Sequence, residues 1–159
     1  MHGPKINMNK LTKLHWSEND LNNAKLAVEF VQRIMNDHDF NGIRELYRGQ
    51  QYTQHNRNIA DGIEGVIEAV SRLVNNAPEF SYDIKHILVD GDHVVLHSHV
   101  TLKAKHRGIE TEGFNIMDTW RVENGRLVEH WDAVQGISFS MRLYALLTGG
   151  KIRNKNSIF

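Results

Sequence analysis

The side chains best suited to chemistry lie in residues 113–135, GFNIMDTWRVENGRLVEHWDAVQ, where Asp118 stands among Phe114, Ile116, Trp120 and Trp131. A carboxylate surrounded by aromatic and aliphatic groups is costly to keep charged and alone, so it must be paired, hydrated or put to use. The use it suits is proton transfer next to a carbonyl. Burial raises its pKa toward neutrality, and one carboxyl then serves as base and acid in turn. Two other readings stay open: a structural carboxylate held by an indole N–H or a histidine, and Asp132 in its place, since a one-residue slip of register exchanges the faces of a strand.

The elements that place these residues follow from local pattern. Asn124 and Gly125 supply the two positive φ angles of a tight type I′ hairpin turn. Counting outward pairs Val122 with Leu127, Trp120 with Glu129, Asp118 with Trp131 and Ile116 with Ala133, which puts Trp131 beside Asp118 and sends His130, Asp132 and Val134 to the other face. A second hairpin turns at Gly91 and Asp92, pairing His86 with His97, Ile84 with His99 and Tyr82 with Thr101. Upstream, apolar residues at helical spacing predict helices over residues 21–37, capped by Asp20, over 40–47, and over 62–76, stopped by Pro78. A short polar strand, Gln51 to Asn56, lies between the second and third, and a short helix from Ser138 ends the pattern. Helices segregated from four long antiparallel strands indicate an α+β fold with a pocket between curved sheet and helices. Residues 20–148 are expected as one domain between an irregular arm, 1–19, and a frayed tail, 149–159.

Composition narrows the partners. The 159 residues carry 19 basic and 19 acidic side chains and no cysteine. No basic field is present to attract nucleic acid, and neither disulfides nor thiolate chemistry is available. No run approaches the roughly 20 apolar residues of a membrane span, and the expected location is cytoplasmic. His86, His97 and His99 on one hairpin face are expected as hydrogen-bonded cavity histidines; spacing alone is a poor ligand signal, so no metal is assigned.

The strand YTQHN (Tyr52 to Asn56), the Asp61-Gly62 helix start and the run DTWRVENGRLVEHWD (Asp118 to Asp132) resemble the SnoaL-like polyketide cyclases of the nuclear-transport-factor-2-like superfamily. The resemblance spans about residues 21–144. It implies a cone-shaped, curved antiparallel sheet wrapped around N-terminal helices, a deep apolar cavity, a homodimer, and aldol-type ring closure without metal or cofactor. The superfamily also holds isomerases, dehydratases and non-catalytic domains, so fold alone leaves the reaction open. On the matched residues it implies an acid/base aspartate in the long hairpin, with His55 and Asn56 as orienting donors where the short strand meets the cavity. Arg57 stands where the family often has proline.

The expected site is thus Asp118, His55 and Asn56, walled by Tyr52, Tyr82, His97, His99, Phe114, Ile116, Trp120 and Trp131, and its expected substrate is a small apolar or aromatic carbonyl compound. The alternative is a non-catalytic ligand-binding or dimerisation domain with the same cavity. Ile87, Val89, Val94, Leu96 and Val100 are expected to form an apolar outer stripe that pairs two copies.

Overall fold

The computed structural model of the chain describes residues 2–148. After a single turn, α1 (Met8–Leu11), helix α2 (Glu18–Val31) starts three residues earlier than its apolar stripe suggests. Ser17 and Asp20 cap each other's backbone in a reciprocal box, so Asp20 sits inside the first turn and Ser17 is the cap. The helix ends in a π-helical turn (Gln32–Asn36), and α3 (Phe40–Leu46) begins at Asp39, whose carboxylate accepts from the Gly42 N–H. Then come β1 (Thr53–Gln54), α4 (Gly62–Asn76), β2 (Ser81–Asp90), β3 (His93–Thr101), β4 (Phe114–Glu123), β5 (Arg126–Gly136) and α5 (Phe139–Thr148).

The five strands form one sheet in the order β1-β5-β4-β3-β2, with β1 parallel to β5 and the rest antiparallel. Asn124 and Gly125 both take positive φ, 51° and 71°, as the tight turn requires. Gly113 is fixed by a different demand. Its φ is +83°, and a Cβ there would stand 2.1 Å from the Val100 carbonyl oxygen.

Two β-bulges change which residues face inward. In β5, Val122 pairs with Leu127 but Arg121 pairs with Glu129, so Val128 is the extra residue. Trp120 therefore faces His130, Asp118 faces Asp132 and Ile116 faces Val134, and the simple count from the turn is off by one beyond the bulge. In β2, Ile84 pairs with Ser98 while His86 still pairs with His97, which places the extra residue at Lys85. Tyr82 then lies opposite Val100 rather than Thr101, and Ile84 opposite Ser98 rather than His99.

The concave face packs on the helices. Val94, Leu96, Val100 and Ile87 are all at least 98% buried there, among Ala24, Ala27, Val31, Ile34 and Ile43. The stripe expected to pair two copies is therefore core, because the inward face of β3 meets α2 instead of water. The outer face carries Leu88, Val95, Met117 and Trp131 with His86, His93 and His97.

The segment before α2 is docked by hydrogen bonds rather than irregular throughout. Asn36, fully buried, donates from Nδ2 to the Pro4 and Tyr82 carbonyls, and its Oδ1 accepts from the Tyr82 N–H. Gln32 Oε1 accepts from the Ile6 N–H. The basic loop after β3 is likewise tied down: Arg107 donates to Ser81 Oγ and to the Glu79 carbonyl. The expected tail, 149–159, lies outside the described residues.

Candidate active site

Between the concave sheet and α2, α4 and α5 lies a cavity of about 680 Å³. Its walls are apolar: Phe30, Met35, Val66, Val70, Leu73, Phe80, Val100, Leu102, Phe114 and Ile116. One end is polar and holds Asp118, His130, Asp132, Gln54 and Asn56. An apolar chamber with convergent polar groups at one end is the usual form of a small-molecule site.

Asp118 is 2% exposed. Its Oδ1 meets His130 Nε2 at 3.1 Å, and its Oδ2 is buried with no hydrogen-bond partner. Burial pushes this carboxyl up from its ordinary value; His130 pulls it back by hydrogen bond and charge, and the Asp132 charge adds to the rise. The net direction is upward.

The strand β1 decides where the histidine's protons sit. A backbone N–H can only donate, and the Asn56 N–H points at Gln54 Oε1 at 2.8 Å, which identifies that atom as oxygen. His130 Nδ1 faces the same oxygen at 3.1 Å and therefore carries a proton. The Nε2 to Oδ1 contact then holds one more proton between base and acid. Gln54 is itself held by Asp61, whose carboxylate accepts its backbone N–H at 3.0 Å in place of capping α4. On its other side the imidazole packs against Trp120, ring centroids 4.7 Å apart, and Trp120 Nε1 donates to the Tyr52 hydroxyl at 3.0 Å. Burial drives the Tyr52 and Tyr82 hydroxyls upward, so both are neutral phenols.

Asp132, opposite Asp118 across β4 and β5, accepts a hydrogen bond from the Asn56 side-chain amide. Asp118, His130 and Asp132 each offer an atom within 4.8 Å of the others, a proximity a cation would also need. Asp118 and His130 share a hydrogen bond, and Asp132 Oδ2 accepts from the Asn56 side-chain amide.

Of the residues singled out in the sequence, Asp118, Asn56, Tyr52, Tyr82, Phe114, Ile116 and Trp120 line the cavity. Four lie elsewhere. His55, next to Asn56 on an extended segment, points to the opposite face, where it bonds Glu129 at 2.9 Å and stacks on Trp131 at 4.8 Å. Trp131 is carried to that face by the Val128 bulge. His97 bonds Asn115 Oδ1 at 2.6 Å on the outer side and stacks on His86. His99, on the same side of β3, donates from Nε2 to the Glu112 carbonyl at 2.7 Å. The sequence reading overlooked His130 and Gln54. Alternation along β1 could have found Gln54, since Tyr52, Gln54 and Asn56 share a face; nothing local marks the bulge that turns His130 inward.

These helices cradled by a curved mixed sheet around a largely apolar cavity define the nuclear-transport-factor-2-like class of α+β proteins. A sequence model of the SnoaL-like domain matches residues 27–130, and the chain belongs to that family. Among solved structures it is similar to the "Putative polyketide cyclase" of Bacillus cereus ATCC 10987, with 20% identity, TM-score 0.63, and 85% of this chain and 87% of that one covered. It is also similar to AclR of Streptomyces galilaeus, described as "a putative hydroxylase", with 17% identity, TM-score 0.58, and coverage of 80% and 85%. A Mesorhizobium loti NTF2-like protein of unknown function matches at 20% identity, TM-score 0.57, over 79% of this chain and all of its own. At such identities the likeness is one of fold. No curated protein sequence matches the chain.

Proposed function

We propose that the protein is a small-molecule enzyme that moves protons on an apolar or aromatic carbonyl compound without metal or cofactor, in a cyclisation, isomerisation or dehydration of aldol type. The observation that carries this is Asp118: a carboxyl at the polar end of an apolar cavity, bonded on one oxygen to His130, with its other oxygen claimed by no protein group. Such a group gives up and takes back a proton more readily than a solvated carboxylate, because burial disfavours its charged form. His130 holds the proton that the carboxyl shares, and Gln54 holds His130 in one tautomer. The relatives described as a cyclase and as a hydroxylase agree with a small-molecule cavity and differ in chemistry, so the reaction class rests on this site.

Screening small ketones and aromatic polyketide mimics gives the assay. Asp118→Asn keeps the shape and removes the acid, and turnover should fall about 10²–10⁴-fold, the usual worth of general acid–base catalysis. Before any substrate is in hand, NMR titration of the Asp118 carboxyl tests the premise. A midpoint near the unperturbed ~3.9 would count against catalysis and favour the second reading, a binding domain in which the Asp118 to His130 contact is structural. The same reading includes a homodimer, for which the outer face with Trp131, Met117 and Leu88 is the available apolar surface.

A further inference from the structure

A second cavity, of about 320 Å³, lies along the free edge of β2, between the segment that precedes α2 and the loop after β3. Of the residues lining the two cavities only Tyr82 is common, so this one is separate from the chamber that holds Asp118. Ser81 and Thr101, which are cross-strand partners, form its floor with His99. One wall is given by Pro4 to Asn7, Lys10 and Leu11, the other by Arg107 and Gly108. Neither wall is loose. The first is held by Asn36 and Gln32 through the Pro4 carbonyl and the Ile6 N–H, and the second by the bonds Arg107 makes to Ser81 Oγ at 3.0 Å and to the Glu79 carbonyl at 2.9 Å.

The charges here do not cancel. Lys5 Nζ is paired with Asp37 at 2.7 Å, and the carboxylate of Asp83 with Lys85 at 2.6 Å. Among the described residues Arg107 and Lys10 have no such partner, which leaves two positive side chains facing a cavity with no carboxylate to balance them. Arg107 is aimed by its own bonds: a guanidinium has five N–H groups, and two are spent on Ser81 and Glu79. Ser81, 3% exposed, accepts from Arg107 with its oxygen and keeps an O–H to donate. Ile6, Leu11 and Ile84 exclude water beside these donors and strengthen their pull on an anion.

We infer that this cavity is a binding site for a phosphate group, either the free anion or the ester of a small molecule. A phosphate brings a charge of about −1.5 to −2 at neutral pH, which matches the two unbalanced cations. The donors come from three sides: a planar fork from the loop, a point charge from α1 and a hydroxyl from the floor. That spread suits a tetrahedral oxyanion, whereas a planar carboxylate is satisfied by one guanidinium alone.

The test is calorimetric titration of the protein at low ionic strength with inorganic phosphate, phenyl phosphate and benzoate, with sodium chloride matching the ionic strength in control runs. Both phosphates are expected to saturate one site per chain, and amide NMR signals near Lys10, Ser81, Arg107 and Gly108 should move while those of Asp118 and His130 stay. Arg107→Gln should weaken binding about 10–100-fold, as loss of hydrogen bonds to a charged group does. Lys10→Gln, on an exposed turn, should weaken it about 2–5-fold; if Arg107→Gln fails to fold, this variant and the signal map decide. Tighter binding of phenyl phosphate makes the ligand an ester and tighter binding of inorganic phosphate makes it the free anion, and either result sustains the site. Benzoate binding as tightly as phenyl phosphate overturns the phosphate assignment. No saturation by about 10 mM of either phosphate, signals moving at Asp118 and His130 instead, or undiminished binding in the variants overturns the site.

Discussion

Two histidine–carboxylate pairs lie back to back on the β4–β5 ribbon. Inside, His130 meets Asp118 at 3.1 Å; outside, His55 meets Glu129 at 2.9 Å. By distance and residue type they are near twins, and both imidazoles are flanked by a tryptophan. Their carboxyls move in opposite directions. Burial pushes Asp118 up and nothing cationic beyond His130 opposes it. Burial also pushes Glu129 up, but hydrogen bonds from Arg121 and His55 outweigh it and hold the group below its ordinary value. A guanidinium and a more exposed setting thus hold one carboxyl down, while the sealed one rises.

The sharpest way to break this contrast is to neutralise each carboxyl in turn. Asp118→Asn should cost about 10²–10⁴-fold in turnover, whereas Glu129→Gln, remote from the cavity, should leave turnover within about twofold, as expected for a surface group outside the reacting geometry. Comparable losses in steady-state assays of both variants would erase the distinction between the faces.

Stability should show the reverse order. Glu129→Gln strips Arg121 and His55 of a shared partner and should cost about 1 kcal/mol in urea titration, limited by the partial exposure of the pair. Asp118→Asn should stabilise the protein at neutral pH, since it removes a buried carboxyl that folding keeps from ionising freely.

The pH dependence of Tm separates the two more finely. For Asp118 the folded pKa lies above the ordinary 3.8, so its contribution is full below 3.8 and is lost as pH rises through the folded value. For Glu129 the folded pKa lies below the ordinary 4.5, so its contribution is present above 4.5 and is lost as pH falls through the folded value. Melting curves of the two variants against wild type should therefore diverge at opposite ends of the range. The smallest effect concerns assembly. Trp131→Glu should weaken self-association in sedimentation runs while sparing turnover; a wild-type monomer at micromolar concentration would remove the homodimer from the proposal.

Much of the fold was legible because it depends on short-range pattern. The stripe of α4, the Asn124-Gly125 turn and the alternation of β4 each follow from residues a few positions apart, and they put Asp118 on the cavity face with Ile116 and Trp120. What was not legible depended on one extra residue. Val128 is an ordinary strand residue, and its bulge is settled by which side chains fit against α2 and β1, a tertiary matter. Without it Trp131 takes the place of His130 and Asp132. Assigning His55 and Asn56 to one cavity was a different error, since neighbours on an extended chain cannot share a face.

Asn36 bears on a hazard unrelated to catalysis. β2 is an edge strand, and an edge with open N–H and C=O groups invites another chain to add on. At Tyr82 both groups are already taken by one side-chain amide, which does there what a neighbouring strand would do, and a few residues further on the bulge at Lys85 bends the edge out of register. A single buried asparagine thus occupies, at the start of the sheet's free border, the two backbone groups that an added strand would need.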